Sequence, residues 1–249
     1  LGIFGVAVAT ITLPVVSRIA AQADKSHFGP TLGKALRLAL FLTLPSAVGL
    51  YFLANPIISL IYQRMAFTAA DSLQTGLALQ FYAMGLVAYS WVKVLSPAFY
   101  AIDKKWTPMF VSFASIGLNF GMNYLFIFHF NFGHKGLALS TSLSALVNFV
   151  VLYLLMSRHV TTLETGRLLG TLARCLLSAA ALGGICWLGL TYGGSWLKAP
   201  HFWQKAIALL LLIGVAAFVY IAGCFFLRVE EIHEAGRLVA RKFLRRAGK

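Results

Sequence analysis

The sequence predicts an all-α polytopic membrane protein with about seven transmembrane helices. Two observations predict it. First, 59% of the 249 residues are hydrophobic and only 11% are charged, with a mean hydropathy of +0.81. Soluble domains carry about 25% charged residues, so this chain has too little charge to cover a water-soluble globule of its size. Second, the apolar residues form continuous runs, most close to the roughly 20 residues that a helix needs to cross about 30 Å of hydrocarbon. Barrel strands alternate polar and apolar over about ten residues, and these runs do not. Disorder, collagen, disulfide scaffolds and ordinary cytosolic enzymes are excluded.

The runs are 1–17, 38–60, 77–101, 109–130, 136–156, 168–190 and 206–227. The chain opens on Leu1 within the first run, without an initiator Met, which predicts a fragment. Of 21 Lys and Arg, sixteen flank one side, among them Arg18, Lys34, Arg37, Lys104, Arg167 and the tail from Arg228 to Lys249. Only Arg64, Lys135, Lys198 and Lys205 flank the other. The positive-inside rule puts the rich side, and the C-terminus, in the cytoplasm. This placement also removes nucleic acid as the meaning of the +14 net charge. Trp106, Trp196 and Trp203 fall near the expected interfaces, where amphipathic rings settle. In the tail, Val229, Ile232, Val239 and Phe243 recur at helical spacing beside Arg237, Arg241 and Arg245. That pattern suits an interfacial helix on anionic lipid and equally a solvated basic tail. Residues 24–34 make a weaker case of the same kind.

Within the spans, charge is scarce. All seven acidic residues lie outside them, so the chain lacks the buried carboxylate relay of a proton pump. No catalytic or metal-ligating motif is present, and Cys175, Cys186 and Cys224 are scattered as small core residues. Lys93 lies about eight residues, roughly 12 Å, from the cytoplasmic end of its span. Pro97, one turn later, removes the amide that would bond the carbonyl of Lys93. A cation beside a freed carbonyl suits a hydrated, anion-binding cavity, or a lysine paired with carbonyls of a neighbouring helix. Arg174, six residues into its span, is expected to snorkel. Pro14 and Pro45 free the carbonyls of Thr10 and Phe41 in the same way.

Two polar stripes stand out. Ser112, Ser115, Asn119 and Asn123 share one helical face; Ser140, Ser144 and Asn148 recur every fourth residue on the next helix, with Thr141 adjacent. They read as interhelical hydrogen-bond glue, or as a cavity wall or neutral-oxygen site for a hard cation. Gly117 and Gly121 form a loose small-residue packing motif.

Taken together, LPVVSR at 13–18, LRLALFLTLPSAVGL at 36–50, ANPIISLIYQRMAFTAAD at 54–71, VKVLSPAFYA at 92–101, TP at 107–108 and GLALSTSLSALVN at 136–148 resemble, in order and spacing, the C-terminal half of the MurJ/MviN lipid II flippases. These belong to the multidrug/oligosaccharidyl-lipid/polysaccharide exporter superfamily. The resemblance implies the C-terminal lobe of a fourteen-helix flippase in the bacterial inner membrane. It implies alternating-access export of undecaprenyl-diphosphate-linked lipid II for peptidoglycan, with no enzyme chemistry and no cofactor. Membrane potential or a monovalent cation would drive the cycle. It divides the chain into a five-helix transport lobe (1–157), two additional helices forming a lipid-tail groove (158–227) and a basic cytoplasmic tail (228–249). Its partners would be lipid II, membrane phospholipid, the N-terminal half of the same protein, and cell-wall synthesis or division proteins. Lys93, Asn119, Asn123, Ser144, Asn148 and Arg18 are the expected cavity residues, with Pro14, Pro45 and Pro97 as helix kinks. Met65 departs from the family's usual glycine before the AFTA stretch. An exporter of another polyprenyl-linked saccharide, or a non-transporting polyprenyl-lipid-binding scaffold, is the alternative.

Overall fold

The computed structural model describes residues 27–62, 68–160, 163–193 and 202–232. The first run, with Pro14 and Arg18, lies outside them, as do Met65 and most of the basic tail. The described residues form seven α-helices: α1 (Phe28–Tyr62), α2 (Ala69–Met84), α3 (Leu86–Ala101), α4 (Trp106–Tyr124), α5 (His134–His159), α6 (Thr165–Tyr192) and α7 (Phe202–Phe226). A π-helical turn, Leu125–His129, extends α4. Five helices are long and apolar enough to cross a membrane, and the bent pair α2–α3 makes a sixth crossing.

Helix α1 begins ten residues before the apolar run that predicts it. Pro30 sits in its first turn, where a missing N–H costs nothing, so the segment 28–37 joins the span. Helix α1 is also the hub. It packs on α2, α3, α6 and α7, while α5 packs on α2, α3 and α4. Leu32, Leu36, Leu40 and Leu53 of α1 are fully enclosed, with Leu95 and Phe99 of α3 and Leu152 and Met156 of α5.

The span expected over 77–101 is broken, with a bend of 43° between α2 and α3. Pro97 and Pro45, the expected kink positions, lie inside α3 and α1. The break falls at Gly85, which caps both helices. A Cβ there would lie 2.7–2.9 Å from the Oγ, Cα and Cβ of Ser142. Only glycine lets α5 approach the joint so closely, and the Ser142 hydroxyl donates to the carbonyl of Phe81 (2.6 Å), an acceptor in the last turn of α2 that the break leaves without its helical donor. Gly117 and Gly121, by contrast, face open space. The packing glycines are elsewhere.

Candidate functional site

The predicted site residues divide into two groups along the α3–α4–α5 face. Asn119 and Asn123 of α4 meet α5 at Ser140. The Asn123 amide donates to Asn119 Oδ1 (3.1 Å), the Asn119 amide to Ser140 Oγ (3.5 Å), and the Ser140 hydroxyl to Asn123 Oδ1. This closed brace satisfies the polar groups that hydrocarbon would leave orphaned.

Ser144 and Asn148 continue the stripe along α5 without joining the brace. Ser144 Oγ, Asn148 Oδ1 and Ser90 Oγ of α3 are buried with no hydrogen-bond partner among the described residues. The ring of Trp91 packs against Phe149 at 4.3 Å, so their chain neighbours Ser90 and Asn148 lie at one level of the bundle. The Trp91 Nε1–H donates to the carbonyl of Leu36 (2.9 Å) and fixes α3 against α1 at that level. Lys93, half-buried on α3, makes no hydrogen bond or ion pair among the described residues. The carbonyl pairing that would make it a purely structural lysine is not seen there. Buried, unpaired acceptors cost about 1–3 kcal/mol each. Ser90 precedes Lys93 by one turn on α3, and Ser144 and Asn148 belong to α5, which packs on α3; such unpaired groups make this interface a polar seam suited to water or a hydrated anionic group.

A second feature lies on the opposite side of α1. Helices α1, α6 and α7 enclose an apolar groove of about 590 Å³, lined by Phe41, Leu42, Pro45, Gly49, Leu182 and Tyr220 among others. Its architecture follows from one proline. Pro45 strips the carbonyl of Phe41 of its helical donor, and the Tyr220 hydroxyl of α7 replaces it at 3.0 Å. The two rings also pack at 5.7 Å. A freed carbonyl and a tyrosine one helix away thus dock α7 on α1.

Sequence reasoning missed the ion cluster at one end of α1. It takes Arg37 for a cationic flank, but the side chain is only 7% exposed and bridges two carboxylates. Its Nε–H donates to Glu231 Oε1 at 2.7 Å and its Nη1–H to Glu164 Oε2 at 3.0 Å. Arg167 pairs with the other oxygen of Glu164 at 2.7 Å. The available signal was the setting of Arg37 among Leu36, Leu38, Ala39 and Leu40, which a helical reading buries. The cluster also gathers the start of α1, the α5–α6 link and the segment after α7 at one end of the bundle. Arg174, from within α6, donates to the carbonyl of Arg228 beyond α7 at 3.3 Å. Cys175, Cys186 and Cys224 are buried free thiols, and the described residues hold no group of three metal-ligating side chains.

Comparison with known proteins points one way. The family described as lipid II flippase MurJ matches residues 1–207. A probable lipid II flippase MurJ of Vibrio cholerae is 31% identical over 92% of this chain and 43% of its own length. The corresponding protein of Rickettsia prowazekii is 33% identical over 88% of the chain and 43% of its length. Among solved structures, lipid II flippase MurJ in an inward closed conformation superposes with a TM-score of 0.71, at 28% identity, over 91% of this chain and 44% of that one. The chain spans less than half the length of the relatives it matches.

Proposed function

Since this chain belongs to the lipid II flippase MurJ family, we propose that it serves as the C-terminal part of a flippase carrying lipid II from the inner to the outer leaflet of the bacterial inner membrane. The observation that carries the proposal is the match of nearly the whole chain, in sequence and in fold, to one half of such proteins. The family is one of transporters rather than enzymes. The remaining half of the relatives' length would supply the facing lobe and, with it, most of the headgroup cavity.

The roles follow from the chemistry of the cargo. A diphosphate needs cationic and hydrogen-bonding contacts in a hydrated space, and Lys93 with Ser90, Ser144 and Asn148 supplies them. The Asn119–Asn123–Ser140 brace holds α4 and α5 together so that the lobe moves as one body. A long polyprenyl tail needs continuous apolar surface, which the α1–α6–α7 groove provides. The C-terminus lies in the cytoplasm, on the side where Lys and Arg cluster. Alternating access requires the cargo or a driving force to favour one state over the other. Membrane potential contributes about 2.3 kcal/mol per charge per 100 mV, and a monovalent cation on neutral oxygens is a second source.

The test is reconstitution of the complete protein in liposomes loaded with lipid II, reading the fraction accessible from the opposite leaflet. Time-dependent redistribution that an undecaprenyl phosphate control does not show supports the proposal. Equal redistribution of a different polyprenyl-diphosphate saccharide would shift the assignment to a broader exporter.

A further inference from the structure

Beside the ion cluster lies a polar pocket of about 360 Å³, whose charged lining residues are Lys34, Arg37, Glu164, Arg167, Glu230 and Glu231. Three cations and three carboxylates cancel, so the pocket has no formal charge to attract a simple anion. The pairing within it is uneven. Arg37 is held by Glu231 and Glu164, and Arg167 by Glu164. Glu164 has both oxygens engaged. Glu231 does not: its side chain is 3% exposed, Oε1 accepts from Arg37, and Oε2 is buried with no partner among the described residues. Glu230, next in the chain, is exposed. The unfilled position therefore calls for a hydrogen-bond donor, preferably a cationic one.

The surroundings define the donor further. Leu169 of α6 and Phe225 and Phe226 of α7, close in sequence to Arg167 and Glu230, are 58%, 65% and 84% exposed. On a membrane protein such side chains suit hydrocarbon, and charged pocket residues within a few positions of them suit the adjoining headgroup layer. Arg167 is 68% exposed and uses Nη1 on Glu164, which leaves its other guanidinium donors available. A buried acceptor and an exposed guanidinium lining one pocket match a zwitterion, its ammonium on the acceptor and its phosphate on the guanidinium. A divalent ion would need about six to eight oxygens, and three of the four oxygens of Glu164 and Glu231 are already committed to arginine.

We propose that this pocket binds the headgroup of a phosphoethanolamine lipid, the primary ammonium donating to Glu231 Oε2 and Glu230 and the phosphate accepting from Arg167. The site is separate from the polar seam and the apolar groove, and it stands whatever the transported cargo is. Its function would be to hold the start of α1, the α5–α6 link and the end of α7 to the membrane interface.

The experiment is native mass spectrometry of the purified protein with phosphatidylethanolamine and its N-methyl, N,N-dimethyl and choline analogues, which offer three, two, one and no N–H donors. Retained lipid should fall along the series by about tenfold overall, the worth of one charge-assisted hydrogen bond, about 1.4 kcal/mol. E231Q keeps an oxygen for Arg37 and puts an amide NH₂ where Oε2 stood, so the series should flatten in that variant; E230Q should weaken it less. Equal retention of all four lipids by the wild type would overturn the proposal with no variant needed, as would an unchanged series in a folded E231Q. Displacement of the lipid by an equal concentration of soluble phosphoethanolamine would overturn the lipid as the source of the headgroup.

Discussion

Replacing Arg37 with Met separates the ion cluster from generic helix packing. Methionine preserves much of the apolar stem that α1 packs into the bundle and removes the guanidinium. The loss is unequal across the cluster. Glu231, 3% exposed, is left as a buried carboxylate without a cation. Glu164, 22% exposed, keeps Arg167, whose own 68% exposure limits that pair to about 0–1 kcal/mol in solvent. Stranding a buried charge costs about 3–5 kcal/mol, so Arg37→Met should cost about that much. By the scaling of soluble domains, this is a drop of about 10 °C in melting temperature. Glu164→Gln should cost only about 1 kcal/mol, because Arg37 retains Glu231. Arg37→Met combined with Glu231→Leu should recover most of the loss, since the stranded charge is gone. The assay is thermal melting of detergent-purified variants, arranged as a double-mutant cycle. Arg37→Met melting with the wild type, or a double variant no better than the single, would refute the reasoning.

Three further outcomes follow from the same geometry. Tyr220→Phe removes the hydroxyl that donates to the Phe41 carbonyl freed by Pro45 and should destabilise by about 1 kcal/mol, measured by melting, with faster cysteine labelling in the α1–α7 groove. Gly85→Ala should destabilise the protein, because its Cβ would meet the Cα of Ser142 at 2.8 Å, whereas Gly117→Ala, with nothing within 4 Å, should be neutral or stabilising by up to about 1 kcal/mol through helix propensity; the two melting curves check the sign. Lys93→Ala should lower lipid II export while leaving melting close to wild type, because the lysine makes no ion pair among the described residues; unchanged export would remove Lys93 from the site.

How far the sequence reached depended on the range of the physics involved. Hydropathy is a local sum, so the spans from 38 to 227 could be read directly, and the three-and-four spacing of Ser112, Ser115, Asn119 and Asn123, with Ser140, Ser144 and Asn148 at every fourth residue, marked two polar faces whose meeting at Ser140 only the structure shows. The freed carbonyl of Phe41 was also legible from Pro45 alone. Its partner Tyr220 was not, because a hydroxyl 179 positions away leaves no local trace. The same holds for Arg37 with Glu164 and Glu231, where charge counting placed all three outside the hydrocarbon and so concealed that they meet. The bend at Gly85 was missed because proline signals a lost hydrogen bond in the sequence, whereas Gly85 is required by the close approach of Ser142, a tertiary fact.

The most direct test of the account is genetic replacement. In a bacterium whose essential lipid II flippase is under conditional control, the gene encoding this chain would be expressed in its place, with lipid II in the outer leaflet measured alongside growth. The complete gene should restore both, and this 249-residue segment alone should restore neither. A complete, well-expressed and membrane-inserted protein that left lipid II confined to the inner leaflet would contradict the account.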